Sequence, residues 1–270
     1  MFGWLEVARA TFIRDLLTAS SYRTGFALSA LGALFNILGV FFLSRAFGAA
    51  TAEPMERYGD QYFGFAVIGV AFTSFMAVGL TGVASRIREG QMMGTLELML
   101  LSPNRLGTLL ISSTLWNLAF ATVALTLHLL AGVLLGMDLS RANLPAAGLS
   151  LIVAMVAFTG LGLISASIVI VIKQGNPVSL LVGMASVLLA GVLYPTSVLP
   201  DWLQTIGMVL PLTHALELLR RSMLDGEGIA TLAAPLAWLV TLSVIYVPIG
   251  LWACGRAVHI AQTDGSLSEY

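Results

Sequence analysis

Six stretches of this chain carry no Asp, Glu, Lys or Arg: 24–44, 61–85, 106–137, 142–172, 174–200 and 228–255. Each meets or exceeds the roughly 20 apolar residues that an α-helix needs to cross the hydrocarbon core of a bilayer. Inside that core each backbone N–H and C=O has to be satisfied within the protein, so runs of this kind fold as membrane-spanning helices. Composition agrees, because 58% hydrophobic residues at mean hydropathy +0.92 is more apolar surface than a soluble globule of 270 residues can hide. The expectation is an all-α membrane protein in which residues 1–270 form a single transmembrane domain. Its spans are expected at approximately 25–45, 61–85, 106–136, 145–172, 177–194 and 232–255.

An even number of spans puts both termini on one side. Positively charged residues near the spans are retained in the cytoplasm. With the termini inside, the inner set is Arg9, Arg14, Arg23, Arg86, Arg88, Arg105, Lys173 and Arg256, against Arg45, Arg57, Arg141, Arg220 and Arg221 outside. Eight against five favours cytoplasmic termini. The first apolar run begins after Tyr22, is long enough to span and lacks a cleavage-like end, so it reads as a retained span rather than a signal peptide.

Residues 1–23 place Phe2, Leu5, Ala8, Phe12, Ile13, Leu16 and Leu17 near helical spacing among charged residues. They predict an amphipathic helix at the inner interface, the alternative being a short helix packed on protein. Gly25, Gly32 and Gly39 recur every seven residues in the first span, a small-residue stripe expected to pack against another helix. The third span holds Ser112, Ser113, Thr114, Asn117, Thr122, Thr126 and His128, expected to bond between helices in preference to contacting a substrate. KQGNP at 173–177 predicts a tight turn between the fourth and fifth spans.

After the fifth span, Pro195, Pro200 and Pro211 divide the chain into two short helical pieces, Asp201–Val209 and Leu212–Leu224, with Asp201 as a plausible N-cap. The charge-free run 202–216 is too short to cross, so 195–224 reads as a re-entrant helical cap. Glu217 falls three and four residues before Arg220 and Arg221, which suits a local ion pair with either.

Several chemistries have no residues to support them. There is no GxxxxGK[ST], and the single lysine, Lys173, lacks the preceding glycines, so any nucleotide energy has to come from a partner. His128, His214 and His259 stand in no metal-ligand spacing, and the lone Cys254 cannot form an intramolecular disulfide. The acidic residues lie at span ends or in loops, which argues against a proton-coupled carrier with a buried relay. A formal charge of −1 with no basic tract gives nothing for nucleic acid to bind.

One interruption stands out: REGQMMGTLELMLLSP, from Arg88 to Pro103. Read as a helix over 86–101, it puts Met92, Met93, Leu96, Met99 and Leu100 on one arc, with Gly90, Gly94 and Glu97 towards the other side. Stopped by Ser102-Pro103 and flanked by Arg86, Arg88 and Arg105, such a helix would run along the inner membrane surface. Methionines make an adaptable apolar face, suited to seating in a groove.

IREGQMMGTLELMLLSP resembles the segment between the second and third spans of ABC type 2 permeases, the membrane subunits of ATP-binding-cassette exporters. LYPTSVLPDWLQTIGMVLPLTHALELLRRSML is similar to the family's outer segment, with its Leu-Pro-x-Trp-Leu and Pro-Leu-Thr landmarks. With the N-terminal helix and six spans, the likeness covers nearly the whole chain.

The resemblance implies that Glu89 and the Gly94-Thr95-Leu96-Glu97 run belong to a coupling helix seated in a groove of a separate ATPase subunit. Met92, Met93 and Leu96 would fill the groove's apolar floor, and Glu97 would meet polar or basic groups. It also implies a homodimer in the inner membrane of a prokaryote, served by two ATPase copies that bind ATP and Mg, with no cofactor in this chain. By the same likeness the second and fifth spans line a path at the dimer interface, giving Phe65, Phe72, Phe75 and Met76, with Ser179, Met184 and Ser186, as lining residues. Lipid-facing aromatics would produce the same pattern. The apolar spans suit an amphiphilic or hydrophobic cargo such as a lipid-linked glycan, a lipid or a drug. The rival reading is a non-transporting membrane anchor that docks a soluble enzyme.

Overall fold

The computed structural model describes residues 6, 9–10, 12–14, 16–17, 23–47, 62–94, 106–172 and 177–263. Among these residues there is no strand. Six long or apolar helices, α1 (Arg23–Phe47), α2 (Tyr62–Met92), α3 (Leu106–Leu134), α4 (Leu144–Ile172), α5 (Pro177–Leu189) and α8 (Ala233–Thr263), follow the charge-free runs. Between the last two lie a 3-10 turn at Thr196–Val198 and two short helices, α6 (Asp201–Gly207) and α7 (Pro211–Met223). The described residues 6, 9–10, 12–14 and 16–17 are helical as well, and Phe12 meets Trp116 of α3 edge to face at 5.1 Å.

Four described helices are long and apolar enough to cross a membrane: Tyr62–Met92, Trp116–Leu134, Leu144–Ile172 and Ala233–Ala261. Leu31–Ala46 and Ser179–Leu189 are shorter apolar helices. With 13 residues, α5 is only about 20 Å long and stops short of the expected 194. Gly191 explains the stop, since its φ of +70° is a left-handed conformation that ends a helix.

α4 is the central helix, packed along α8 on one side and α2 on the other, with α7 against it as well. Its buried residues are mostly small, among them Ala146, Ala147, Ser150, Ala154, Ala157, Gly160, Gly162 and Ala166. Small side chains let backbones approach closely where lipid supplies no hydrophobic drive for association. A Cβ on Gly162 would stand 2.5 Å from the Gly79 carbonyl oxygen, and one on Gly250 would stand 2.8 Å from the Gly160 oxygen. Phe72, Phe75 and Phe158 fill the α2–α4 seam, the first two stacked at 5.3 Å.

α4 begins on a side-chain cap. Asn143 Oδ1 accepts from the Ala146 N–H at 3.1 Å, while the Asn143 N–H donates to the Ser222 carbonyl at 2.8 Å. Asn143→Ala should therefore cost about 1 kcal/mol of stability, read as a lower thermal midpoint in detergent.

Several expectations need correcting. The Gly32 and Gly39 positions have nothing within 4 Å of a built Cβ, so those members of the small-residue stripe pack on no other helix among the described residues. On α3, Thr122 donates to Leu118 O, Thr126 to Thr122 O and His128 Nδ1 to Ala124 O, so these three side chains bond their own helix instead of neighbours. Asp201 is the first residue of α6 rather than its cap; Pro200 holds the cap position, with no side-chain hydrogen bond. The expected turn at 173–177 falls, apart from Pro177, outside the described residues.

Candidate functional site

α2 does not end where its apolar run ends. It continues through Arg86, Ile87, Glu89 and Gly90 to Met92, a helix of 31 residues. Met93 N–H still donates to Glu89 O at 2.9 Å and Gly94 N–H to Gln91 O at 3.1 Å, and Gly94, at φ +65°, terminates the helix. Residues 86–92 are thus the end of α2, not the start of a separate helix, and 95–101 lie outside the described residues. Of the expected coupling residues, Glu89 pairs with Arg86 at 3.1 Å, while Thr95, Leu96 and Glu97 fall outside the described residues.

This end of α2 has two faces. Val83, Ala84 and Ile87 are buried in a cluster with Leu163, Ala166, Val169 and Ile170 of α4 and Cys254, Ala257 and Ala261 of α8. Met92 and Met93 are 70% and 74% exposed. A load applied at the methionines therefore reaches three packed helices rather than one. Gln91 is buried, and its Oε1 has no hydrogen-bond partner among the described residues.

The expected path residues lie elsewhere. Phe65, Phe72, Phe75 and Met76 are all buried within the chain, facing α4 and α7 rather than an open surface. The reason is the aromatic seam with Phe158 and the position of Arg220. Ser179 is buried too, donating to Leu80 O at 3.3 Å and lying 2.7 Å from Ser165 Oγ, which ties the first turn of α5 to α2 and α4. Ser186 is buried, whereas Met184 is exposed beside Leu180, Leu181, Val187 and Leu188.

At the opposite end of α2 sits a cluster that sequence reading missed. Arg220 of α7 is 4% exposed. Its Nη1 donates to Gly191 O at 2.9 Å, its Nη2 to Val192 O at 2.8 Å and Phe65 O at 3.1 Å, and its guanidinium carbon stands 3.3 Å from the Phe65 ring centroid. A planar, always-charged fork suits this job, since one group reaches carbonyls of two chain segments and stacks on an aromatic face. The Gly191 and Val192 carbonyls lie just past the end of α5, with no helical donor to follow, whereas that of Phe65 belongs to the first turns of α2. Tyr62 Oη adds a bond to Leu193 O at 3.1 Å. Gly69 makes the approach possible, because a Cβ there would stand 2.1 Å from Val192 O.

Arg221, next in sequence, points the other way and bridges Glu227 at 2.7 Å and Glu217 at 3.0 Å. The Glu227 hydrogen bond, then that of Glu217, raises its pKa above the ordinary arginine value. The local ion pair therefore uses Arg221, and Arg220 takes no part in it. A signal was available: Arg220 follows Leu212 and Leu216 and precedes Met223 on the buried arc of α7, whereas Arg221 lies four residues after the half-exposed Glu217.

Residues 9–224 match the model of the ABC-2 type transporter family. The chain belongs to the ABC-2 type transporter family. It is also 27% identical, over 198 residues, to Nodulation protein J of Sinorhizobium fredii (strain NBRC 101917 / NGR234), covering 66% of this chain and 73% of that protein. The ABC-2 membrane domain is the permease component of such transporters, and the apolar helices make this an integral membrane protein. Among the described residues no group of three or more His, Cys, Asp or Glu side chains converges as a metal site.

Proposed function

We propose that this chain is the permease subunit of an ATP-driven exporter and that the ATPase cycle enters through the end of α2. The observation that carries this reading is the length of α2. At 31 residues it runs about 46 Å, against about 30 Å of hydrocarbon, and it ends in exposed methionines. A continuous helix packed on α4, which is itself packed along α8, transmits a push without bending.

Six spans follow if α1 and α5 join the four longer helices, with both termini cytoplasmic in the inner membrane of a prokaryote. Two copies pair, and each engages one ATPase subunit, which binds ATP and Mg. Glu89, Met92, Met93 and Gly94, continued by Thr95, Leu96 and Glu97, form the docking segment.

The path runs between the two copies. On α2 the exposed stripe is Ser74, Ala77 and Ser85 with half-exposed Thr81, and on α5 it is Leu181, Met184 and Leu188. Phe65, Phe72, Phe75, Met76, Ser179 and Ser186 stand behind those faces and hold them in place. Hydroxyl and apolar walls suit an amphiphilic or hydrophobic cargo, whether a lipid-linked glycan, a lipid or a drug.

Closure of the ATPase dimer drives the docking segments together and opens the path to the other side. Glu97→Arg should reduce retention of the ATPase about tenfold, the loss of one charge-assisted contact. The measurement is co-purification of the partner ATPase with the permease in lipid, together with cargo-stimulated ATP turnover. Undiminished docking and turnover would reject the segment. A membrane anchor would instead bind the partner and move no cargo.

A further inference from the structure

α3 and α4 are consecutive, yet they diverge. α3 packs on α2 and more lightly on α1, whereas α4 packs on α8, α2 and α7. Between them lies a cavity of about 290 Å³. Its floor is Ile68 of α2 with Leu219 of α7, its walls are Leu125 and Leu129 on one side and Gly148 and Leu151 on the other. At its mouth, Leu130 and Leu144 are 55% and 69% exposed.

The crevice is built rather than left by chance. The loop that closes one end, 135–143, is fastened at both margins: Met137 N–H donates to Gly132 O at 2.9 Å, and Asn143 N–H donates to Ser222 O at 2.8 Å. Gly226 comes so close that a Cβ there would stand 2.4 Å from Arg141 O. The two walls therefore cannot simply collapse onto each other.

Water does not fit this space, because a buried water needs two to four polar partners. Thr126 is the one hydroxyl on the lining, and it is already bonded to Thr122 O at 2.9 Å. An empty crevice of this size, open to hydrocarbon, forfeits dispersion contacts along every wall. Asp138 and Arg141, both exposed, lie in the loop 135–143 on either side of the lining residue Leu139 in sequence. They offer both signs of charge at headgroup level, the arginine to a phosphate and the carboxylate to an amine.

We propose that the α3–α4 crevice is a binding site for one acyl chain of a membrane glycerophospholipid, whose headgroup rests at Asp138 and Arg141. The chain fills the wedge that the helices leave and makes the lipid a structural part of the subunit. The site is separate from the path between copies, and it requires only that α3 and α4 lie in a bilayer.

The test uses the full chain in vesicles of phosphatidylethanolamine and phosphatidylglycerol, with a trace of phospholipid carrying a diazirine on one acyl chain. After illumination and peptide mapping, adducts should concentrate on Leu125, Leu129 and Leu151. Leu127 and Ile152, exposed on the same two helices, serve as bulk-lipid references. A Cβ at Gly148 meets nothing within 4 Å, so Gly148→Leu fills the crevice without disturbing a packed seam. It should lower crevice labelling about tenfold, the effect of displacing roughly two methylenes from an apolar site. Labelling at Leu127 and Ile152 should stay unchanged.

Leu129→Phe narrows the space from the opposite wall and should act the same way if Gly148→Leu folds poorly. Equal labelling of Leu127 and Leu129 in the unaltered chain, or crevice labelling indifferent to both substitutions, would overturn the site. Neither ATPase nor nucleotide is present, so this outcome is independent of the exporter reading.

Discussion

Replacing Arg220 by methionine should destabilise the membrane domain by about 3 kcal/mol, because buried carbonyls left without donors cost roughly 1–3 kcal/mol each. The carbonyls concerned are those of Gly191 and Val192, which lose the guanidinium that now reaches them at 2.9 and 2.8 Å. Methionine has similar length, so the effect isolates the lost donors from a cavity. Relief from burying a charge offsets part of the cost, which holds the estimate near the lower end for two carbonyls. Arg220→Lys keeps the charge but loses the fork and the stacking on Phe65, and should fall between the two. Arg221→Gln breaks the pairs with Glu217 and Glu227 and should cost about 1 kcal/mol or less, since partly solvated pairs are worth little. Denaturation of the reconstituted protein in graded denaturant would rank the three. Equal loss from Arg220→Met and Arg221→Gln would mean that the buried clamp has no special weight.

Gly162→Leu is the second large effect, also about 3 kcal/mol, as expected when side-chain volume is forced into a close-packed seam. Its Cβ would stand 2.5 Å from Gly79 O and 3.3 Å from Leu80 O, and both are backbone. Neither atom can swing aside, so α2 and α4 have to separate. The same separation would pull Ser179 from Leu80 O and loosen the start of α5. Gly148→Ala, on the same helix but facing open space, should be neutral or slightly stabilising through helix propensity. Thermal unfolding of both variants in the same lipid gives the comparison. A neutral Gly162→Leu would contradict the seam.

The spanning helices were legible in the sequence because charge-free runs of bilayer length have so few other folds. The two short helices α6 and α7 were legible from Pro200 and Pro211, which stand at their starts. What failed was direction. Phe65, Phe72, Phe75 and Met76 belong to a helix that is apolar on nearly every face, so there is no polar side to say which way is out. They turned out to face inward because Phe158 and Arg220 receive them. α5 was read as a full span because Ala190, Gly191 and Val192 extend its apolar run without a charge. A single left-handed glycine ended it, and hydropathy carries no record of φ.

The interruption around Glu89 and Gly90 was legible as a break in the apolar run, and the helix ends within that stretch at Gly94. There the structure adds that the helix before the glycine is continuous with the membrane helix, which a sequence with Glu89 and Gly90 in it did not suggest. Arg220 was visible but misassigned. Two adjacent arginines after a glutamate look interchangeable until the apolar arc of α7 assigns one to each side.

The contrast between a 31-residue α2 and a 13-residue α5 leaves the molecule with a tall side and a short side. If α5 crosses, as the proposed six-span arrangement requires, no single bilayer thickness matches both, so the surrounding leaflets have to thin locally at α5 or the bundle has to tilt. Acyl-chain length thus becomes a mechanical setting for this protein: shorter lipids favour the posture that suits α5, and longer lipids the one that suits α2.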